Sequence, residues 1–135
     1  MAQNQQKITT FITFEGQAVA AMDLYTSVFK DARIENEVRY GVEGPGKEGT
    51  IQHAVFSIHG QAFMCSDSFV KHDWDITPGV SLFVHCEDEE EIDVVFTKLS
   101  DGGKVLMPLG DYGFGKKFGW VEDPFGVSWQ LNLPE

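Results

Sequence analysis

The sequence has little cysteine and no long apolar run. Its two cysteines, Cys65 and Cys86, are too far apart for a Cys-x-x-Cys pair, so neither a disulfide framework nor a cysteine-based metal site is indicated. No segment approaches the ~18 consecutive apolar residues that a membrane span needs. Residues 1–7 are polar and lack the apolar stretch of a signal peptide. These absences predict a reduced, cytoplasmic protein.

Positive charge is also scarce: the sequence has 10 Lys and Arg residues but 21 Asp and Glu residues, and its net charge is -11. Such a surface repels phosphate backbones and anionic lipids, so nucleic acids and membranes are not expected partners. It would suit a cationic ligand, but acidity also simply keeps a protein soluble, and we favour that interpretation. By contrast, Phe is abundant, with 11 residues, as expected for strands or for a pocket lined by aromatic rings.

Alternating and helical spacings of apolar residues divide the chain into a first series of elements. Residues 8–14 are β-branched or aromatic and predict a strand, and residues 17–29 predict an amphipathic helix. Three further strands are expected at 34–40, 51–58 and 61–66. His59-Gly60 is expected to join the last two as a two-residue hairpin.

The same order then recurs. Strand 80–86, helix 88–99 and strands at 104–109, 116–122 and 127–133 repeat the β-α-β-β-β series, and shifting the first half by 71 residues superimposes much of it. The order predicts one α+β domain over 1–135. It consists of two βαβββ repeats, at about 7–66 and 79–133, that form a curved mixed sheet around a central cleft.

Two segments carry a family resemblance. Residues 23–29 (DLYTSVF) and 118–131 (FGWVEDPFGVSWQL), together with the duplication, resemble the PhnB-like branch of the vicinal oxygen chelate superfamily. That superfamily includes glyoxalase I, extradiol dioxygenases and bleomycin-resistance proteins. The branch is often labelled 3-demethylubiquinone-9 3-methyltransferase. Because the chain lacks the Gly-rich strand–turn–helix of a doubly wound nucleotide-binding sheet, we do not expect S-adenosylmethionine-dependent methyl transfer.

Metalloenzymes of this superfamily hold their ion with four side chains, commonly His and Glu, on the first and last strands of each repeat. The resemblance places Thr10, Met64, Ser81 and Gln130 at those positions. Hydroxyls, a thioether and a neutral amide are poor ligands for Zn²⁺, Ni²⁺ or Fe²⁺. No metal and no other cofactor is therefore expected.

His53 is the best candidate for a catalytic residue. The predicted pairing puts it on one face with Met64 and Ser66, and its near-neutral pKa would suit a general base. Asp67 could orient it. A lone His is more often structural, and a loop Asp is more often solvated, so both alternatives stay open.

The remaining candidates line or cover the predicted cleft. Gly110–Lys117 mimics a phosphate-binding loop, but Lys117 stands where Ser or Thr is required and a strand pattern follows, so we interpret it as a rim loop. Tyr112 and Phe114 would close over a ligand, and Lys116 or Lys117 could meet an anionic group. The acidic run 87–91 is interpreted as a helix start.

The expected ligand contacts come from both repeats and from the rim loop: Thr10, Met64, Ser66, Asp67, Ser81, Phe83, Tyr112, Trp120 and Gln130. Which of Trp120 and Trp129 faces the cleft is open.

Two classes of function follow, and a third possibility, an interaction domain whose cleft is vestigial, stays open. The first is a metal-free module that binds a small, partly aromatic molecule. The second is a divergent lyase or isomerase that uses His53 as general base. A homodimer is expected in either case, because one repeat pair leaves sheet edges exposed and similar superfamily members pair to cover them.

Overall fold

The computed structural model describes residues 6–135, which divide into two units, one ending at His72 and one beginning at Asp73. The division falls in the predicted connection between the two repeats. Most of the segment 1–7, for which no signal peptide is expected, lies outside the described residues. No helix of the described chain is long and apolar enough to cross a membrane.

The first unit has the predicted β-α-β-β-β order. Its elements are β1 (Thr10–Phe14), α1 (Ala18–Val28), β2 (Ala32–Arg39), β3 (Ile51–Ile58) and β4 (Gln61–Asp67). The strands form one mixed sheet, sheet 1, in the order β1-β4-β3-β2, in which β1 pairs with β4 in parallel.

The helix α1 packs its apolar stripe on one face of sheet 1. Ala21, Met22 and Tyr25 are fully buried there, and the Tyr25 ring lies 5.6 Å from that of Phe56, centroid to centroid. Phe56 in turn stacks on Phe63 of β4 at 5.3 Å. The i, i+3, i+4 spacing in the helix and the alternation in the strands thus meet in one core.

The second unit repeats this order. Its elements are β5 (Ser81–His85), α2 (Glu89–Ser100), β6 (Lys104–Gly110), β7 (Lys117–Glu122) and β8 (Ser128–Leu133), and sheet 2 has the order β5-β8-β7-β6. The helix α2 packs on one face of sheet 2, and its residues Ile92, Val95 and Leu99 are buried there. The structure thus resolves the predicted mixed sheet into two four-stranded sheets, one per unit.

Local sequence signals explain the turns. His59 and Gly60 both have positive φ, 53° and 83°, which is the type I′ geometry that matches the twist of a two-residue hairpin, so that prediction is confirmed. The acidic run also opens a helix as interpreted. The Asp88 side chain accepts a hydrogen bond from the backbone N–H of Glu91 at 2.8 Å, and the Glu91 carboxylate accepts one from the N–H of Glu87 at 2.7 Å.

Candidate functional site

Each sheet has one face covered by its own helix and an opposite face, here called the distal face. In sheet 1 the register sets Phe11 beside Met64, and Met64 beside Val55, on the distal face. In sheet 2 it sets Phe83 beside Gln130, and Gln130 beside Trp120. Because side chains alternate along a strand, these rows fix which residues share the distal face in each unit.

A hydrogen-bonded polar network lies on the distal face of sheet 2. The indole N–H of Trp120 donates to Ser128 Oγ at 2.8 Å, and Ser128 Oγ lies 2.7 Å from Ser81 Oγ. Gln130 Nε2 donates to Ser81 Oγ at 3.3 Å. The structure therefore brings together three of the predicted ligand-contacting residues, Ser81, Trp120 and Gln130, through the central Ser128.

An aromatic cluster borders this network, and we define it as Phe83, His85, Tyr112, Phe114 and Phe118. Phe118 is buried at its centre, with ring centroids 4.9 Å from Phe114, 5.9 Å from Tyr112 and 6.4 Å from Phe83. The outer rings stay accessible, since Phe83 is 46% exposed, Tyr112 40% and Phe114 58%. Phe83 also lies 5.0 Å from the His85 ring. The cluster therefore presents accessible aromatic surface in the second unit.

The rim loop between β6 and β7 holds two of these rings. The Tyr112 hydroxyl donates to the Pro108 carbonyl at 2.7 Å, and the backbone N–H of Gly113 donates to Asp111 Oδ1 at 2.9 Å. Gly113 has φ 98°, which an L side chain adopts only at a cost. The loop thus lies at the distal face of sheet 2, whereas its position over a cleft and a closing motion stay predictions.

The two tryptophans of the β7–β8 hairpin point to opposite faces. Trp120 joins the polar network on the distal face. Trp129 is buried on the α2 side, where its indole N–H donates to Asp123 Oδ2 at 2.9 Å. Gly119, next to Trp120, faces α2, because a Cβ there would lie 2.8 Å from the Phe96 ring. The structure thus assigns each tryptophan to a face of sheet 2, while which of them faces a cleft stays a prediction.

Lys117 is not available to a ligand on the distal face, so the expectation that it meets an anionic group is wrong for Lys117 and stays a prediction for Lys116. Its register with Leu133 puts it on the α2 side, where Nζ lies 2.8 Å from Asp93 Oδ1 and 3.9 Å from Glu89 Oε2. The hydrogen bond to Asp93 raises the pKa of Lys117. Lys116 stays exposed in the loop.

In sheet 1, His53, Met64 and Ser66 share the distal face, as the predicted pairing required. The β3–β4 ladder runs from Ile58–Gln61 to Ala54–Cys65, and His53 pairs on its other side with Val38. Their role in binding or catalysis remains a prediction.

Two predicted contacts of sheet 1 are misplaced. Thr10 pairs with Phe63 on the α1 side, so it does not share a face with Met64, and the position that continues the distal row is Thr9. Asp67 is 2% exposed and also lies on the α1 side. Its Oδ1 accepts hydrogen bonds from the N–H groups of Gly16 and Ala18, and its Oδ2 accepts one from Ile51. Both oxygens of Asp67 are engaged by backbone, so Asp67 does not orient His53.

The donor set expected at the superfamily's metal positions does not fit a transition ion. The Ser81 hydroxyl is engaged with Ser128, and Gln130 offers a neutral amide that donates to Ser81. Met64 supplies only a thioether. Within residues 6–135, no three His, Cys, Asp or Glu side chains lie close enough to form a metal site.

Sequence reasoning missed several residues of the distal face of sheet 2. Ser128 and Asn132 alternate with the buried Trp129 and Leu131 in β8, and the same alternation puts His85 beside Phe83 in β5. The strand period could have found all three, once Gln130 was assigned to this face.

A family model described as 3-demethylubiquinone-9 3-methyltransferase matches residues 6–132. The chain belongs to this family, the PhnB-like branch of the vicinal oxygen chelate superfamily. Among solved structures, the PhnB-like chain is similar to a Bacillus cereus PhnB protein that is provisionally described as the same methyltransferase. The two share 58% identity over 95% of this chain and 99% of the other, with a TM-score of 0.92.

Two further structures are more distant. A protein from Pseudomonas aeruginosa shares 26% identity over 96% of this chain and 98% of its own, with a TM-score of 0.84. A glyoxalase/bleomycin resistance protein from Albidiferax ferrireducens is 11% identical over 96% of this chain and all of its own, with a TM-score of 0.63. At that identity the likeness shows the fold alone.

The methyltransferase description of the family is not supported by this fold. Each unit of the PhnB-like chain is a four-stranded mixed sheet with one helix on one face. Cofactor-binding doubly wound sheets are parallel, with helices on both faces and a Gly-rich turn between strand and helix. The described part of the chain has no sheet of that kind.

Proposed function

We propose that this PhnB-like protein binds a small aromatic molecule, without a metal, on the distal face of sheet 2. The observation that carries the proposal is the aromatic cluster. Phe83, Tyr112 and Phe114 are each at least 40% exposed, although they pack around a buried Phe118. Accessible clustered rings are costly in water, and such surfaces mark binding sites.

The polar network supplies the second requirement of a small-molecule site. Pockets for such ligands combine apolar and aromatic walls with a few fixed polar groups. The hydrogen bonds from Trp120 and Gln130 to the two serines hold these groups in place before a ligand arrives. A preorganised site loses less conformational entropy on binding.

The experiment is a calorimetric titration with 2-acetonaphthone, a flat uncharged probe. The expected result is saturable binding that Phe83→Ala weakens by roughly two- to tenfold, because an aromatic pair contributes about 0.5–1.5 kcal/mol beyond area burial. The matched control is Phe11→Ala, which removes a ring that is 49% exposed on the distal face of sheet 1. Absence of binding, or an equal loss in both variants, would contradict the proposal.

Metal analysis of protein purified without chelators tests the claim that the site is metal-free. Stoichiometric Zn²⁺, Ni²⁺ or Fe²⁺ in the purified protein would overturn that claim.

The alternative, an enzyme with His53 as general base, has less support. The nearest predicted partner, Asp67, lies on the other side of sheet 1 with both oxygens engaged. A general base is normally oriented by a third group. We expect His53→Ala to leave the affinity for 2-acetonaphthone unchanged, since the proposed site consists of sheet 2 residues.

A further inference from the structure

We infer that the ligand is an uncharged aromatic molecule with an amide edge, and that the side-chain amides of Gln130 and Asn132 recognise this edge. The inference rests on the proposed function and adds the chemical class of the ligand. It follows from the side-chain amide N–H and C=O groups on the distal face of sheet 2 that have no hydrogen-bond partner, and from the absence of arginine in the second unit.

The first observation is a count of donors and acceptors in the polar network. Ser81 Oγ lies within hydrogen-bond distance of Ser128 Oγ and of the Pro78 carbonyl, at 2.7 and 3.3 Å, so the serine protons are used inside the network. Gln130 contributes one N–H to Ser81. Its second N–H and its Oε1 make no hydrogen bond within the described chain, and Oε1 is not buried. One donor and one acceptor of the same amide therefore remain for a ligand.

The second observation is the amide of Asn132, two residues further along β8 on the same face. Its Oδ1 is buried without a hydrogen-bond partner, against Gly115, where a Cβ would lie 2.5 Å from that oxygen. Asn132 pairs in register with His85 and Phe118, so its amide borders the aromatic cluster. Because this oxygen is buried, it is the Nδ2 group that a ligand can reach. Nδ2 makes no hydrogen bond within the described chain and is not buried, so the Asn132 amide keeps a donor for a ligand.

The third observation concerns charge. Lys117 is held on the α2 side by Asp93, and both arginines of the chain, Arg33 and Arg39, belong to the first unit. Within the second unit, a carboxylate or phosphate on this face would therefore meet no guanidinium, only ammonium groups such as that of the exposed Lys116. At the other end of the network, Glu122 lies beside Lys104 in the β6–β7 register. An uncharged group avoids the desolvation cost that an ion would incur here.

These observations together define the ligand chemistry. A carboxamide or lactam offers one N–H and one C=O side by side, and these groups pair reciprocally with the free N–H and Oε1 of Gln130. The attached ring would then lie along the exposed ring of Phe83. An acceptor-only ligand satisfies half of this pattern.

Four naphthalene probes of similar shape test the inference by calorimetry: 2-naphthamide, N,N-dimethyl-2-naphthamide, 2-naphthoate and 2-naphthylmethylammonium. We expect 2-naphthamide to bind about tenfold more tightly than each of the others, the effect of one net hydrogen bond. Gln130→Leu and Asn132→Leu should each reduce this preference, whereas the control Gln61→Leu, at the exposed β3–β4 turn, should keep it.

Gln130→Glu is a second variant that keeps the side-chain shape if the leucine variant does not fold. It removes the donor and adds a negative charge, so it should abolish the preference for 2-naphthamide and favour 2-naphthylmethylammonium. Equal affinities for all four probes, or a preference that survives in both Gln130 variants, would overturn the inference while leaving the proposed function intact. If no probe binds, the proposed function itself fails.

Discussion

At the scale of single residues, two buried carboxylates, Asp67 and Asp123, show how chemistry-bearing groups serve the fold. Asp123 Oδ1 accepts hydrogen bonds from the N–H groups of Phe125 and Val127, and its Oδ2 accepts one from Trp129. Asp67 binds three backbone N–H groups in the first unit. Each carboxylate ties a turn to a strand, and a charge buried in this way is tolerated because its oxygens are hydrogen-bonded.

Replacing Asp67 with Ala should therefore lower the free energy of unfolding by about 2–4 kcal/mol, because three backbone N–H groups lose their acceptor. Urea denaturation followed by circular dichroism measures this change. Asp101→Ala, at an exposed position after α2, is the control and should change stability by less than about 0.5 kcal/mol. Equal, small effects for both variants would show that the Asp67 hydrogen bonds contribute little.

The two thiols provide a second residue-scale prediction. Burial raises the pKa of both Cys65 and Cys86 to about 12, well above the value near 9 of an exposed thiol. Below pH 9 both states of the chain carry protonated thiols. Between about pH 9 and 12 only the unfolded chain ionises, so the free energy of unfolding should fall as the pH rises through this range.

The measurement is labelling with a thiol-specific disulfide reagent at pH 8. Both cysteines should react slowly in the native protein and rapidly in 6 M guanidinium, because the thiolate is the nucleophile. Fast stoichiometric labelling of the folded protein would contradict the burial of these thiols.

At the scale of elements, the ten predicted helices and strands all occur, with each end within two residues of its predicted position. Alternation is strong in these strands, and the turns have distinctive residues, so local signals sufficed. The register between the two repeats was harder to predict than the elements themselves. The shift of 71 residues places Phe11 on Leu82, whereas the strand pairing makes Phe11 and Phe83 the equivalent distal residues.

That difference of one residue explains why Thr10 was misplaced. Side chains on a strand alternate between faces, so a one-residue slip moves a side chain from the ligand side to the helix side. The face of Trp129 was left open, although the alternation along β8 implies it once Gln130 is assigned to the distal face. The face of Lys117 follows from the β7–β8 register, which no local pattern encodes.

The start of α2 gives the element-scale prediction. Asp88→Ala removes the hydrogen bond to the N–H of Glu91 and should destabilise the protein by about 1 kcal/mol. The control is Glu90→Ala in the same first turn. It also removes a negative charge near the helix N-terminus, but it leaves the N-cap hydrogen bond of Asp88 intact. Thermal unfolding of the two variants separates capping from charge, and an equal loss in both would assign the effect to charge alone.

At the scale of the whole molecule, we propose that the protein is a homodimer. Strands β1, β2, β5 and β6 are sheet edges, and large apolar side chains such as Ile8, Phe11 and Val38 are about half exposed or more. Edges and apolar surface of this kind favour self-association. Sedimentation equilibrium at micromolar concentration should give twice the chain mass of 15.1 kDa, and a species of 15.1 kDa would contradict the dimer.

The most direct test of the account is to locate a bound aromatic molecule by nuclear magnetic resonance. The measurement is the set of intermolecular nuclear Overhauser effects between 2-acetonaphthone and isotope-labelled protein at saturation. The account predicts contacts to the exposed ring of Phe83 and shifts of the Gln130 side-chain amide, both on the distal face of sheet 2. Contacts confined to Phe11, Val55 and Met64 of sheet 1, or no defined contacts at saturation, would contradict it.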